Sequence, residues 1–228
     1  MNILKRGLIV SCQAIEGNPF RDSKALALMA KSAEIGGAVA IRANGYDDIS
    51  EMKKNISIPI LVLNKLKYET GRTVITPNFE AAKVVAEAGS DVIALDVTFE
   101  KSNIREEPKE LIYRIKNELK LPVLADISTL EEAIYAQECG ADYISTTLSG
   151  YMPSRKHADD ELYIPDLQLI KDICDNEKCT IPVIAEGRYW TPEDIQKALD
   201  LGAYGIVIGK AITNPIAITR YMISGINF

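Results

Sequence analysis

A lysine and a glutamate stand at the ends of two short apolar segments of this sequence, and the two could move a proton. Lys65 comes soon after the segment 58–63, and Glu186 ends the segment 181–186. A lysine that is partly withdrawn from water has a lowered pKa and can act as a base near neutral pH. A carboxyl group facing it can serve as its counterpart in proton transfer. The pair therefore predicts acid–base chemistry on a small molecule.

Other polar residues at the segment ends are suited to bind a substrate. They are Ser11, Cys12, Gln13, Arg42, Asn44, Asn64, Asp96, Asp126, Thr146, Thr147 and Arg188. Charges that converge from separate segments would repel one another or lose hydration without a ligand, so we expect one mixed-charge pocket. Asp96 and Asp126 could orient Lys65 or bind the hydroxyls of a sugar. Either could instead form a structural ion pair with Lys65, and the sequence leaves this alternative open.

Glycine and a basic residue follow each of the last two apolar segments. Gly187 and Arg188 come after one segment, and Gly209 and Lys210 come after the other. In barrel enzymes the loops after the last two strands often bind phosphate through backbone N–H groups, and glycine permits a close approach. We therefore take Gly187, Gly209 and Lys210 as candidate phosphate-binding residues, although glycines at strand ends also serve simply as turn residues.

Eight apolar segments must position these side chains. One is 7–11, three contain proline after their first residue, at 58–63, 121–126 and 181–186, and four begin at glycine, at 36–41, 89–94, 140–145 and 202–207. Short, nearly continuous apolar runs indicate parallel strands that are covered on both faces. Amphipathic stretches between them predict helices at 23–35, 78–88, 108–119, 129–138, 166–174 and 192–201. Eight such units predict a single (β/α)8 TIM barrel over residues 1–228, with a doubly wound open sheet as the alternative.

The composition of the chain limits the classes of molecule that we expect it to bind. The 26 Lys and Arg residues against 32 Asp and Glu residues leave a net charge of −6, which argues against a nucleic acid or an anionic membrane surface as partner. No apolar run approaches the roughly 20 residues of a membrane span. Four cysteines without a recognisable signal peptide predict reduced thiols and a cytoplasmic location. One histidine and scattered cysteines make a zinc site unexpected. The sequence does not determine the oligomeric state, and a homodimer is one option.

The longest connection without a clear pattern is 148–165, after the sixth segment. A connection of this length in a barrel is typical of a lid or a binding loop, and the alternative is a solvated excursion. It contains the only histidine, His157, which we expect to be exposed.

The strings that carry the candidate residues resemble the N-acylmannosamine-6-phosphate 2-epimerase family. They are GLIVSCQA from Gly7, GGAVAIRANG from Gly36, IALDVT from Ile93, ADIST from Ala125, TTLSGY from Thr146 and IPVIAEGR from Ile181. The resemblance covers nearly the whole chain. It implies a (β/α)8 isomerase of sialic acid catabolism that epimerises N-acetylmannosamine 6-phosphate to N-acetylglucosamine 6-phosphate at C2, without a metal or an organic cofactor.

The resemblance also assigns roles. Lys65 matches the catalytic lysine of the family and Glu186 its catalytic glutamate, whereas Gln13, Arg42 and Asp126 match residues that line the substrate site.

The chain departs from the family pattern at positions 66 and 214. Family members usually carry arginine where this chain has Leu66 and Asn214. Lys210 lies four residues before Asn214 and could supply the lost charge as a point charge on phosphate. Because of these losses, two alternatives stay open: a related epimerase for another or an unphosphorylated N-acyl sugar, and a catalytically silent barrel that binds an amino-sugar phosphate. Retention of Lys65 and Glu186 counts against the silent barrel, because binding alone needs no proton-transfer pair.

Overall fold

The computed structural model describes residues 3–67, 73–100, 103–152 and 163–226, and eight of its strands close into a parallel barrel. In chain order the strands are β1 (Gly7–Ser11), β2 (Ala40–Asn44), β3 (Ile60–Leu63), β4 (Lys65–Lys67), β5 (Thr73–Ile75), β6 (Val92–Asp96), β7 (Val123–Asp126), β8 (Tyr143–Ser145), β9 (Val183–Glu186) and β10 (Gly205–Ile208). All except β4 and β5 belong to the barrel. The predicted (β/α)8 barrel is confirmed, and closure excludes the open sheet.

The first strand closes the ring. Val10 of β1 pairs with Ile41 of β2 on one side and with Ile208 of β10 on the other. Because all eight barrel strands are parallel, their carboxyl ends meet at one rim. The candidate residues that follow the strands are thereby gathered at that rim.

Helices cover the outside of the barrel. They are α1 (Ser23–Ile35), α2 (Tyr46–Lys53), α3 (Phe79–Glu87), α4 (Pro108–Arg114), α5 (Leu130–Glu138), α6 (Leu167–Cys174), α7 (Pro192–Asp200), α8 (Lys210–Thr213) and α9 (Pro215–Ser224), with a π-helical turn at Ile115–Leu119 that continues α4. Each of the six predicted helices is present within a residue or so of its expected ends, with the π-helical turn completing the fourth. Helix α2 was not predicted, and it follows Gly45, whose φ of 81° places it in the left-handed region that glycine tolerates.

Side-chain caps explain where several helices begin. The side chains of Asp22, Asn78, Thr129, Asp166 and Thr191 each accept a hydrogen bond from the backbone N–H three residues later. Each such cap stabilises its helix by about 1 kcal/mol. Four of these caps follow barrel strands and Asn78 follows β5, so the caps help to set where the loops at the rim end.

Two apolar layers hold the barrel. One fills its interior and includes Ile9, Leu61, Leu124 and Ile184, while the other lies between strands and helices. At the amino-terminal end of the barrel, Leu4 is fully buried; its backbone N–H donates to the Tyr143 hydroxyl and its carbonyl accepts from the Tyr204 hydroxyl. Burial of a leucine side chain contributes roughly 2 kcal/mol. The interior is therefore packed, and open space lies at the rim.

An antiparallel hairpin interrupts the barrel pattern after β3. Strand β4 pairs with β5, and Lys65 lies opposite Ile75. The sequence analysis placed Lys65 at the end of the segment 58–63 and did not predict this hairpin. Lys65 therefore belongs to this separate two-stranded sheet and not to a strand of the barrel.

Part of the long connection 148–165, including His157, lies outside the described residues, so the expectations for this loop stay predictions. No helix in the described part of the chain is long and apolar enough to cross a membrane.

Candidate active site

A cavity of about 590 Å³ opens at the carboxyl-terminal rim of the barrel. Its walls combine polar strand ends with apolar and aromatic side chains from the loops after β8, β9 and β10. The polar residues that line it include Ser11, Gln13, Lys65, Thr147, Glu186, Arg188 and Lys210. Gly187 and Gly209 also line it. The size and the mixed lining suit a small, polar molecule.

Lys65 is positioned by backbone and side-chain contacts together. Its backbone N–H donates to Asn44 Oδ1 at 2.8 Å, which ties the start of β4 to the end of β2. Its Nζ donates to Gln13 Oε1 at 2.7 Å. The residue as a whole is exposed, but its side chain lines the cavity. Desolvation by the surrounding protein lowers the pKa of the Lys65 amine and Arg42 lowers it further, while Glu186 and Asp126 oppose the shift.

The two carboxylate oxygens of Glu186 have different surroundings, because only one of them is held by Arg42. Its Oε2 accepts from Arg42 Nη1 and lies 3.1 Å from Thr147 Oγ1. No donor in the described part of the chain is within hydrogen-bond distance of Oε1. The Glu186 backbone is held as well, because its N–H donates to the Thr146 hydroxyl and its carbonyl accepts from the same group. One oxygen is thus fixed and the other is available to a ligand in the cavity.

Arg42 lies beneath the cavity and joins two carboxylates. Its Nη2 donates to Asp126 Oδ2 at 2.6 Å, and its Nη1 donates to Glu186 and to Thr147 Oγ1. The guanidinium is fully buried. Burial lowers the pKa of Arg42, but attraction to Asp126 and Glu186 outweighs burial, so its pKa is raised and the group stays charged. Burial raises the pKa of Asp126 to about 6; Arg42 opposes this and the charge of Glu186 adds to it.

These positions revise several expectations. Arg42 and Asp126 do not line the cavity; both are fully buried below it and reach it through Glu186 and Thr147. The suggested ion pair of Lys65 with Asp126 or Asp96 is not present: the amine donates to Gln13, and the two carboxylates pair with Arg42 and Arg105. Arg42 takes the Asp126 carboxylate through a charge-assisted hydrogen bond.

Asp96 is buried at the end of β6. Its Oδ1 accepts from the Thr98 backbone N–H, the Thr98 hydroxyl and Arg105 Nη1, and the residue is 2% exposed. Asp96 is not among the residues that line the cavity. The described partners of Asp96 are therefore Thr98 and Arg105, and its expected contact with substrate stays a prediction.

Arg188 lines the cavity, but its guanidinium is largely engaged with backbone. Its Nε donates to the carbonyl of Ile164 at 2.6 Å and its Nη1 donates to the carbonyl of Ser149 at 3.0 Å. The Arg188 backbone adopts a φ of 62°, a value that residues other than glycine rarely adopt. Arg188 thus connects the loop after β9 to both described ends of the connection after β8.

The loop after β10 gathers the remaining candidates. Lys210 begins the short helix α8, and Asn214, which stands where the family has arginine, also lines the cavity. The Asn214 side chain accepts from the backbone N–H of Ala217 and so caps α9. This capping role is a physical reason for asparagine at that position. Leu66, the other departure from the family pattern, is exposed on β4.

Sequence reasoning missed several residues that line the cavity. Thr73 and Ile75 come from the unexpected β5, and no sequence signal indicates that they approach the rim. Trp190 stacks on Tyr221 with ring centroids 4.5 Å apart. Its position two residues after the Glu186–Arg188 string was the one signal that could have included it.

Acidic and sulfur-containing side chains do not assemble into a metal centre in the described ranges. No group of three or more His, Cys, Asp or Glu side chains there could hold a metal ion.

Comparison with known proteins identifies a matching family and similar relatives. A family model described as "Putative N-acetylmannosamine-6-phosphate epimerase" matches residues 26–227. Two relatives carry the name "Putative N-acetylmannosamine-6-phosphate 2-epimerase". The relative from Caldanaerobacter subterraneus is 50% identical over 97% of this chain and 91% of its own length. The relative from Clostridium perfringens strain SM101 is 43% identical over 96% of each chain.

Solved structures show the same similarity. The structure of the N-acetylmannosamine-6-phosphate 2-epimerase from Clostridium perfringens superposes with a TM-score of 0.91 at 40% identity, over 98% of this chain and 95% of that one. A thiamine phosphate pyrophosphorylase from Pyrococcus furiosus superposes with a TM-score of 0.62 at 17% identity, over 96% of this chain and 92% of that one. At that identity the second match shows a shared fold alone.

Proposed function

The chain belongs to the N-acetylmannosamine-6-phosphate epimerase family, and from this premise we propose that it interconverts N-acetylmannosamine 6-phosphate and N-acetylglucosamine 6-phosphate. The observation that carries the proposal is that Lys65 and Glu186 line one cavity at the barrel rim. Two proton-transfer groups on one cavity are what inversion of a carbon centre requires, because a proton must leave one face and arrive on the other.

The reaction we propose begins from the open-chain sugar. The proton at C2 is acidic because it lies α to the C1 aldehyde, so a base can remove it to give an enediolate. We assign this removal to Lys65, whose lowered pKa makes the neutral amine more accessible near neutral pH. Reprotonation on the opposite face yields the other epimer. Glu186 either delivers this second proton or assists ring opening, and its free Oε1 is the oxygen that would act.

Beneath the cavity, Arg42 and Asp126 are proposed to hold the glutamate. The fixed Oε2 of Glu186 limits how the carboxyl group can rotate, which keeps Oε1 at one place relative to the substrate. Thr147 contributes a hydroxyl to the same cluster. Gln13, Thr147 and Arg188 line the cavity and are proposed to contact the sugar.

The phosphate group is proposed to bind at the loops after β9 and β10. Gly187, Gly209 and Lys210 all line the cavity there. These two loops are the usual phosphate site of barrel enzymes, and Lys210 adds a positive charge. The same charge is the argument for a phosphorylated substrate over a free N-acyl sugar. The catalytically silent barrel is not favoured, since it gives no reason for a lysine and a glutamate on one cavity.

One experiment tests the function. The protein is incubated with N-acetylmannosamine 6-phosphate in D₂O, and the epimer ratio and the deuterium content at C2 are followed by proton NMR. We expect both epimers to form and both to carry deuterium at C2. Parallel samples with unphosphorylated N-acetylmannosamine and with EDTA test the substrate class and the proposed independence from metal. Ligand-dependent thermal stabilisation without exchange at C2 would instead favour a binding protein.

We also propose a homodimer, supported by the surface of α9. No residue of this helix is buried, and Ile216, Met222 and Ile223 are 41%, 59% and 52% exposed. Exposed apolar side chains on one helix are typical of an interaction surface. Light scattering on the wild type and on Met222→Glu/Ile223→Glu tests this, with a smaller mass expected for the variant.

A cytoplasmic location is likewise a proposal. All four cysteines are free thiols, which is typical of proteins in a reducing compartment.

A further inference from the structure

Asn44, the last residue of β2, holds the backbone of the candidate base. Its side-chain Oδ1 accepts from the Lys65 backbone N–H at 2.8 Å. A backbone N–H can only donate, so this contact requires the oxygen of the Asn44 amide and excludes the opposite orientation. The sequence grouped Asn44 with the polar residues at segment ends but gave it no role in the reaction.

The bond lies where the chain leaves the barrel. Strand β3 ends at Leu63 and Lys65 begins β4, which belongs to the separate two-stranded sheet. The pairing of β2 with β3 ends at Asn44 and Leu63. The Asn44 side chain therefore extends the connection to the barrel by one more hydrogen bond, beyond the last backbone pair of the two strands.

Asn44 is itself firmly placed. It is half-buried, it pairs with Leu63 in the barrel sheet, and the backbone N–H of the next residue, Gly45, donates to the Leu63 carbonyl at 3.0 Å. Helix α2 begins directly after Gly45. A group on a barrel strand holds its position more precisely than a group on a loop does. Asn44 is therefore suited to serve as a fixed point for Lys65.

The same strand also holds the second proton-transfer group. Arg42 lies two residues before Asn44 on β2, so the two side chains leave the same face of the strand. Arg42 donates to the Glu186 carboxylate, while Asn44 accepts from the Lys65 backbone. One barrel strand thus provides a reference for both groups that are assigned to proton transfer.

Lys65 needs a hold at each end because its side chain is long and flexible. Its amine donates to Gln13 Oε1 at 2.7 Å, and its backbone donates to Asn44. Asn44 is not among the residues that line the cavity. Any effect of Asn44 on the reaction is therefore expected to pass through Lys65.

We propose that Asn44 is a positioning residue that fixes the Lys65 backbone to the barrel, so that the lysine amine and the Glu186 carboxylate keep a set spacing across the cavity. The inference rests on the proposed function and deepens it. Lys65 acts on the substrate, whereas Asn44 acts only through Lys65.

Two substitutions at Asn44 separate the hydrogen bond from the size of the residue. Asn44→Ala removes the acceptor, and we expect kcat to fall about fivefold to tenfold with little change in KM, the size expected for one orienting hydrogen bond. Asn44→Asp keeps an acceptor of the same shape, so its kcat at the plateau of the pH profile should stay within about threefold of the wild type. Asn55→Ala, an exposed asparagine outside the cavity, is the control. An Asn44→Asp variant as slow as Asn44→Ala would overturn the inference.

A double-mutant cycle with Lys65→Met tests whether Asn44 acts through the lysine. The residual C2 exchange of Lys65→Met is measured by proton NMR with and without Asn44→Ala. Because the amine is already absent, Asn44→Ala should change this residual rate by less than about twofold. Equal losses in the wild type and in Lys65→Met would show that Asn44 is merely structural.

The pH profile gives an independent reading if the residual exchange is too slow to measure. Without the Asn44 bond the Lys65 amine is held by Gln13 alone and is more often in contact with water, so its pKa should rise toward its ordinary value. The charged groups that act on this amine, Arg42, Glu186 and Asp126, are unchanged in the variant. The acid limb of kcat should therefore move to higher pH in Asn44→Ala while the plateau falls. A packing defect would lower the plateau without moving the limb, and this result would overturn the inference.

The wild type separates this inference from the proposed function. If the wild type epimerises the phosphosugar and Asn44→Ala is unchanged in kcat and in pH profile, the role of Asn44 is wrong and the function stands. If the wild type shows no exchange at C2, the function fails and the inference fails with it.

Discussion

Arg42 donates to Oε2 of Glu186 from below the cavity and leaves Oε1 without a donor in the described part of the chain. The arginine is fully buried, whereas the Glu186 side chain is 18% exposed. A charge-assisted hydrogen bond of this kind restrains a flexible side chain more strongly than a neutral one does. The relationship leaves Glu186 with one anchored oxygen and one oxygen without a described donor, and the prediction for Glu186→Gln depends on that division.

Replacement of Lys65 by methionine removes the amine and keeps a side chain of similar length. We expect C2 deuterium exchange and epimerisation to fall together by a factor of about 10² to 10⁴, the usual contribution of a general base. Lys67→Met is the matched control, because Lys67 lies on the same strand and is exposed outside the cavity. Full exchange at C2 in Lys65→Met would show that another group removes the proton.

Glu186→Gln tests the division between its two oxygens. The amide oxygen can still accept from Arg42, but the residue can no longer transfer a proton, so we expect epimerisation to fall by a factor of about 10² to 10⁴ with KM little changed. Exchange at C2 that persists without formation of the other epimer would assign the second proton to Glu186. Loss of exchange as well would assign ring opening to it. Glu193→Gln, on α7 and outside the cavity, is the control, and a Glu186→Gln variant as active as this control would contradict both roles.

Lys210→Ala tests the phosphate site. Loss of a charged hydrogen-bond donor to phosphate should raise KM for the phosphosugar by about 10-fold to 100-fold and lower kcat much less. Lys178→Ala, an exposed lysine remote from the cavity, should leave both constants unchanged. Steady-state kinetics measures the difference, and an unchanged KM in Lys210→Ala would remove this residue from the phosphate site.

Asp126→Asn tests the electrostatics of the buried cluster. Burial raises the pKa of Asp126 to about 6, from roughly 3.9 in an unfolded chain. The folded protein therefore binds this proton more tightly, so the resulting stabilisation is present below about pH 4 and is lost as the pH rises through about 6. The Tm of the wild type minus that of Asp126→Asn should fall between pH 4.5 and pH 7.5.

The control for this measurement is Asp47→Asn, which changes an exposed carboxylate on α2. The difference in Tm between this variant and the wild type should vary little over the same pH interval. A Tm difference for Asp126→Asn that rises with pH would mean that Arg42 stabilises the charged carboxylate more than burial opposes it.

Much of the fold was predictable because each element carries its own local signal. The apolar segments that begin at glycine or contain an early proline became the barrel strands, and the helices predicted at 129–138 and 192–201 are present, capped by Thr129 and Thr191. Such signals depend on a few neighbouring residues, and parallel strands that are covered on both faces leave nearly continuous apolar runs. The hairpin of β4 and β5 escaped prediction because Lys65–Lys67 is short and polar, and its pairing partner is set by tertiary contact.

The expectation that polar residues at the segment ends share one pocket holds for Lys65 and Glu186, which both line the cavity. The same expectation could not identify the hydrogen-bond partner of each charged side chain. Asp96 and Asp126 both end barrel strands and looked equivalent in the sequence. In the structure Arg105 and Thr98 take the carboxylate of Asp96, while Arg42 takes that of Asp126. The catalytic and binding roles of the candidate residues stay predictions that the experiments above can check.

The sequence by itself determined the eight-stranded barrel, the rim on which polar residues gather and the family to which they point. Only the tertiary structure decided that Lys65 donates to Gln13, that Arg42 is buried beneath Glu186 and that Asp96 accepts from Thr98 and Arg105. The physical reason is that strand and helix signals arise from periodicity within one segment. The partner of a charged side chain depends instead on which distant segments pack around it, and on the cost of burying any charge that is left unpaired.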